Sequence, residues 1–317
     1  RHRDLTLPTS FLIDAKGAIV KIYQGATDPV HLEQDFRNIP KTAAERLFRA
    51  LPFKGVTEVV EFGRNHLSFG SVFFQRGYFN EAAEAFEIAL RDDTESAEAA
   101  YGIGSVYLNQ GKNSEAQKYF ERALKMRASY PDTLANAWNN LGLIAGREGR
   151  VDEAVAYFLE ALRLSPDHRI ALNNLGGAYR QGKKWELAKK TYERALALNP
   201  EDPDSNYGLG MVYAQLDDTA RAFQLLKRAL EAKPDYPEAL NNLGILYLRT
   251  HRRDEGMATF EKAIEVAPDF DQPYLNLARV HVIEGDKEAA RAILQRLLAR
   301  QPDHPAARQM LDEVGAP

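Results

Sequence analysis

"WNNLGLIAGREGRVDEAVAYFLEALRLSP" (residues 138–166) holds two apolar patterns separated by a glycine. Trp138, Leu141, Gly142 and Ala145 stand three and four residues apart, which places them on one face of a helix. Ala154, Phe158 and Ala161 repeat that spacing in a second segment. Gly149 marks the turn between them. Pro166 stops the second helix, because proline lacks a donor and clashes with the preceding turn. Asp167 follows as the expected cap of the next helix. Small residues at Gly142, Ala154 and Ala161 allow the two helices to approach closely, and larger ones would force them apart.

The unit recurs along the chain. "ALNNLG" occurs at 171–176 and again at 239–244, 68 residues apart, or two steps of 34. Ala154, Ala188, Ala222, Gly256 and Ala290 keep the 34-residue step, as do Pro166, Pro200, Pro234, Pro268 and Pro302. Gly142, Gly176, Gly210 and Gly244 do the same, with Ala278 in the next place, and Ala82 and Ala116 extend the series upstream. Between Ala116 and Ala154 the step is 38, so four extra residues lie near "YPDT" (130–133).

The quoted stretch resembles a tetratricopeptide repeat (TPR), whose pattern is W-x2-L-G-x2-Y, then A-x3-F, then P. Ala145 here replaces the tyrosine. Seven repeats are counted, at 63–96, 97–130, 135–168, 169–202, 203–236, 237–270 and 271–304. The first is degenerate, with Thr94 where proline is expected, and 305–317 reads as a capping helix. The resemblance implies a mainly α protein, a right-handed α-solenoid of helix-turn-helix repeats.

The asparagine pairs stand out, since asparagine costs a few tenths of a kcal/mol against alanine in a helix. With Trp138, Leu141, Gly142 and Ala145 facing the partner helix, Asn140 points nearly opposite and Asn139 lies to one side. Asn174, Asn242 and Asn276 are equivalent to Asn140, whereas Gly208 and Gly102 interrupt the row; Asn173 and Asn241 accompany Asn139. In TPR arrays the first helices line the concave surface, so the resemblance places this row there. Each amide offers one acceptor and two donors, enough to bond the backbone of an extended peptide. An asparagine ladder of this kind is a feature of the TPR superhelix of O-linked N-acetylglucosamine transferases, which the region resembles. The alternative is that the amides cap or cross-link adjacent helices. Arg147, Arg180, Arg249, Arg279, Tyr101 and Tyr207 are expected on the same groove, with Glu98, Asp204 and Glu238 mixing the charge. Another TPR class clamps a C-terminal carboxylate with Lys and Arg at places held here by Asn and Tyr, so that clamp is absent.

The first sixty residues differ. "LPTSFLIDAKGAIVKIYQG" (7–25) has no helical period and reads as a β-hairpin turning at "AKG". "DPVHLEQDFRNI" (28–39) follows as a helix, and "PKTAAERLFRALPFKG" (40–55) as a short amphipathic helix and linker. Residues 1–40 resemble the C-terminal half of a thioredoxin-like domain of the TlpA or peroxiredoxin sort, a ββα piece in which Pro8 matches that family's cis-proline. The domain reading is therefore 1–40, a joint at 41–62, repeats over 63–304 and the cap. The family's redox cysteine belongs to the half not present, and the chain contains no cysteine, so it performs no thiol chemistry. TlpA-like domains are mostly extracytoplasmic, which points to a bacterial periplasmic or envelope-facing setting.

With 41 basic and 45 acidic residues the chain has no electrostatic case for nucleic acid. No apolar run approaches the roughly 18 residues of a membrane span. The absence of a starting Met reads as a piece of something longer. The seven histidines show no ligand pair on one helix face, and "GIGSVY" (102–107) and "GLGMVY" (208–213) mimic phosphate loops only at mid-helix positions. No catalytic residue, metal or cofactor is expected. The function that follows is a protein- or peptide-binding scaffold. The alternative is the substrate-recruiting arm of a larger redox or transferase enzyme. Self-association of the solenoid stays open as a third reading.

Overall fold

The computed structural model describes residues 66–315 throughout, together with the backbones of 9–13 and 19–24 and the single residues Glu33 and Arg37. Two compact units divide the chain, Arg1–Arg64 and Asn65–Pro317.

In the first unit, β1 (Thr9–Ile13) pairs antiparallel with β2 (Ile19–Gln24), Thr9 opposite Gln24, with a register shift between Leu12 and Ile13. The hairpin read from the sequence is present. Glu33 and Arg37 are helical and paired at 2.6 Å. Pro8, the rest of the helix over 28–39, the segment 40–55 and the remaining thioredoxin-like reading lie outside the described residues.

The second unit contains fifteen helices among the described residues. They run in pairs: α1 (His66–Gln75) and α2 (Phe79–Asp92), α3 (Ala97–Asn109) and α4 (Asn113–Ala123), α5 (Pro131–Arg147) and α6 (Val151–Leu164), α7 (Arg169–Gln181) and α8 (Trp185–Leu198). Then follow α9 (Pro203–Gln215) and α10 (Thr219–Ala232), α11 (Pro237–Arg249) and α12 (Arg253–Val266), α13 (Asp271–Glu284) and α14 (Lys287–Arg300), with α15 (Pro305–Val314) closing the array. None of these helices is long and apolar enough to cross a membrane.

The period of 34 is a packing period. Ala82, Ala116, Ala154, Ala188, Ala222 and Ala290 are all fully buried. Gly70, Gly104, Gly142, Gly176 and Gly244 each lie under a ring of the second helix: Phe86, Phe120, Phe158, Tyr192 and Phe260 in that order. A Cβ on any of these glycines would come within 3.0 Å of the ring. At the turn inside each repeat one residue takes a left-handed backbone. Gly77, Gly111, Gly149 and Gly285 do so freely, and Lys183, Asp217 and His251 do so at φ 57–64°, at a cost of order 1 kcal/mol each.

The four extra residues before repeat three become one more helical turn. Helix α5 has 17 residues where α3, α7, α9 and α11 have 13, and four residues are close to one turn of 3.6. The loop ahead of it folds back onto α3. Arg127 N–H donates to the Glu95 carbonyl and Ala97 N–H to the Arg127 carbonyl, both at 3.1 Å. Glu98, expected as a solvent-facing charge of the groove, is instead buried. It accepts from Ser129 N–H at 2.6 Å, Tyr130 N–H at 2.9 Å and the Thr133 hydroxyl at 3.3 Å.

The expected cap at Asp167 is corrected by one residue. Helix α7 begins at Arg169, and a cap must reach the N–H three residues on. His168 does so, its Nδ1 accepting from Ala171 N–H at 3.2 Å, and its Nε2 lies 2.8 Å from Asn136 Oδ1. His304 caps α15 in the same way and meets Asp271 at 2.9 Å. Because Nδ1 of His168 accepts, the ring is neutral in the fold. Burial, the largest influence, holds its pKa below the ordinary value, against the backbone bond and Asp132, which raise it. The sign follows from the depressed folded pKa: the unfolded chain binds the proton more readily. Full stability from this group is therefore present above about pH 6.5 and is lost as pH falls through the folded pKa. His168→Asn, which keeps a capping acceptor, is expected to flatten the loss of thermal stability between neutral pH and pH 5. An unchanged pH profile of Tm would refute the assignment.

Candidate functional site

Successive first helices, α1 to α3 and onward to α13, approach one another as well as their own partners, while second helices show no comparable approach to each other. Crowding on one side and spreading on the other bends the array, with the first helices on the inner face. The residues expected to bind a ligand all sit on these helices.

The structure places the asparagines differently from a one-helix wheel. Asn139 and Asn241 are buried, and Asn140, Asn174, Asn242 and Asn276 are half-buried rather than exposed. A wheel accounts for the partner helix but not for the first helix of the neighbouring repeat, which covers a second face. Each amide of the Asn140 row donates back to the preceding repeat. Asn174 Nδ2 bonds Asn139 Oδ1 and Asn276 Nδ2 bonds Asn241 Oδ1, both at 2.9 Å. Asn140 donates to the Tyr101 hydroxyl at 3.4 Å and Asn242 to the Tyr207 hydroxyl at 3.2 Å. One rule covers all four: the amide reaches the residue one place earlier in the previous repeat. Where Gly208 breaks the row, Asn173 turns instead to the cap of α9, donating to Asp202 at 2.9 Å and accepting from the Ser205 hydroxyl. Burial pushes the Asp202 carboxyl up, but the bonds from Asn173 and Ser205 hold it below its ordinary value.

The arginines divide. Arg249 is committed within the array, to the Ala214 carbonyl at 3.2 Å and to Asp217 at 2.6 Å. Arg147 and Arg279 are exposed, and Arg180 is half-buried. Tyr207 packs against Tyr236 with ring centres 5.0 Å apart and planes tilted by 42°, and burial raises its pKa. Tyr236 donates to Asp204 at 3.1 Å, and burial together with that carboxylate raises its pKa far above the ordinary phenol value.

Of the expected residues, the structure brings Tyr101, Asn140 and Arg147 together in a cleft of about 660 Å³ across α1, α3 and α5. Leu67, Phe74 and Leu108 supply apolar walls, and Ser71, Gln75 and Asn109 a polar rim. The sequence signal for the apolar members was weak. Repeat one is degenerate, so no pattern in the sequence singles out Leu67 and Phe74. Asn173, Asn241, Arg249 and Arg279 do not enter this cleft.

A bent stack of helix pairs with an inner groove defines an α-solenoid, an architecture that presents an extended concave surface. TPR sequence families match this chain over residues 133–201, over 67–131 and 175–237, and over 213–274 and 254–313. The chain belongs to the tetratricopeptide repeat family. Among curated proteins it is 30% identical over 112 residues to the tetratricopeptide repeat domain-containing protein PYG7, chloroplastic, of Arabidopsis thaliana, covering 35% of this chain and 37% of that protein. The chain thus spans little more than a third of that relative's length. Among solved structures, the APC/C hetero-tetramer Cut9–Hcn1 aligns with a TM-score of 0.67 at 20% identity, over 82% of this chain and 50% of the other. A tetratricopeptide repeat protein of Parabacteroides merdae aligns at 0.61 and 16% identity, over 79% and 98%. Pseudomonas aeruginosa pilF aligns at 0.59 and 23%, over 68% and 96%. At these identities the likeness shows the fold.

Proposed function

We propose that the chain is a protein-binding scaffold that takes an extended segment of a partner along its inner face, anchored in the cleft of α1, α3 and α5. The observation that supports this is the cleft itself: apolar walls beside polar groups, with Arg147 exposed at its edge and in no ion pair among the described residues. Arginine and tyrosine around an apolar pocket are the usual anchors of an interface. The asparagine row has a part in the same reading. Its Nδ2 groups are used between repeats, but Oδ1 of Asn174, Asn242 and Asn276 accepts no hydrogen bond among the described residues and is left for the N–H groups of a bound backbone.

Affinity capture from source lysate tests the reading with two sets of variants matched for helicity. Ser71→Trp with Arg147→Glu fills and recharges the cleft at exposed positions. It is expected to reduce recovery of specific partners at least about tenfold, equivalent to about 1.4 kcal/mol. The Asn140, Asn174, Asn242 and Asn276→Ala set is expected to weaken capture less and to lower stability as well. Equal recovery by the cleft variant and the parent chain removes the cleft from the function.

A further inference from the structure

Arg180 stands out among the inner-face arginines. Its Nε is buried without a hydrogen-bond partner, and it makes no ion pair with any described carboxylate. Arg249 on the same face reaches a carboxylate of the preceding repeat at 2.6 Å, as Arg296 and Arg300 do from the second helix α14 at 3.0 and 3.1 Å. Its neighbour is a phenol: the Arg180 charge acts against the rise that burial imposes on the pKa of Tyr192, on α8, and in the same sense on Tyr207, on α9. Asp204 and Glu238 act on these tyrosines but do not pair with the guanidinium.

Three repeat columns depart from their pattern here together. The ring place on the second helix is Phe86, Phe120, Phe158, Leu226, Phe260 or Leu294 elsewhere, and tyrosine only at 192. The place of Arg180 is Phe74, Leu108, Gly146, Ala214, Leu248 or Val282 elsewhere. One turn before it, where other repeats carry Ser71, Ser105, Leu143, Met211, Ile245 or Arg279, this repeat has Gly177. The phenol passes between α7 and α9 because Gly176 and Gly208 flank it, and Gly177 leaves the space beside its hydroxyl open, where a Cβ would stand 3.8 Å away. The result is a guanidinium beside a buried phenol, with no side-chain hydrogen bond or ion pair among the described residues and no side chain at 177 to cover it.

We infer that Arg180, Tyr192 and Gly177 form a carboxylate-binding subsite on the inner face, taking an acidic side chain or the chain terminus of the bound segment. The inference rests on the proposed groove and names the chemistry of its ligand. A guanidinium matches a carboxylate with parallel donors, and a charge-assisted bond is about twice as strong as a neutral one. The subsite is separate from the clamp positions, which hold Asn and Tyr in this chain. Adjacent inner helices lie about 8–10 Å apart, so an extended segment crosses from α5 to α7 in about three residues.

The test uses fluorescein-labelled peptides and substitutions that other repeats already carry at the same places. An amidated heptapeptide with one central glutamate among alanine and leucine is compared with its glutamine counterpart, amidated or ending in a free carboxylate. The parent chain is expected to bind one of the carboxylate peptides at least about tenfold more tightly than the neutral one, and the preferred arm identifies the source. Arg180→Leu is expected to abolish the preference, and Tyr192→Phe and Gly177→Leu to reduce it several-fold, with unchanged circular dichroism. Equal binding of all three peptides, or a preference that survives Arg180→Leu, overturns the subsite and leaves the groove standing. Failure of all three peptides to bind overturns both.

Discussion

Phe120→Ala is expected to cost about 3–5 kcal/mol and to divide the unfolding of the repeat array into two transitions. The ring is fully buried. It lies over Gly104 and 5.7 Å from the ring of Tyr101, in a cluster with Ala116, Ala137, Leu141 and Ile144 that joins repeats two and three. Removing a buried phenylalanine loses its transfer energy and leaves a cavity that the surroundings fill only in part. In a linear array each repeat is held by its neighbours, so the damage does not spread evenly. Repeats one and two are expected to melt ahead of repeats three to seven, seen as a smaller early step in urea titrations followed by circular dichroism. Tyr101 would lose its support at the same time, so ligand binding at the cleft should fall before the main transition. One cooperative transition with a loss under about 1 kcal/mol would show that the ring does not lock the two halves together.

Gly208→Ala is the second large effect, and its direction opposes helix propensity. Alanine is favoured over glycine in a helix by about 1 kcal/mol. Here the new Cβ would fall well under 3.0 Å from three atoms of Tyr192. The ring cannot withdraw, because a Cβ at Gly176 on its other side would be only 2.7 Å from it. Overpacking of this kind costs about 1–3 kcal/mol, enough to reverse the propensity gain. The cost is expected to vanish in a Tyr192→Leu background, since leucine occupies this place at 226 and 294. A double-mutant cycle on denaturation free energies measures the coupling. If Gly208→Ala is as stable as the parent with Tyr192 present, the phenol does not pass where the structure puts it.

The helix pairs were legible because their signals are local. The spacing of Leu141, Gly142 and Ala145, the turn at Gly149 and the stop at Pro166 each act within one turn of helix. The hairpin at 9–24 was legible for the same reason, since alternation and a turn suffice. The candidate site was legible only in outline. Tyr101, Asn140 and Arg147 were placed on the groove by the repeat pattern and do meet in the cleft. Asn139 and Asn241 were expected to stand to one side and are buried, because the covering surface is the first helix of another repeat. Glu98 read as a surface charge until the inserted loop, thirty-odd residues downstream, closed over it.

The sequence by itself determined the number of helix pairs, their order, the residues on which each pair closes and the place where four residues were added. Those follow from the 3.6-residue period and from small residues facing rings, which any stretch of about 34 residues contains whole. The tertiary structure decided which polar groups are used between repeats and which remain for a ligand. Asn174 finds Asn139 across 35 positions, Arg249 finds Asp217 across 32, and Arg180 finds no carboxylate among the described residues. Those pairings depend on how each repeat is rotated on the one before it. That rotation is set by the sum of many side-chain contacts between helices, and no local pattern in the chain encodes it.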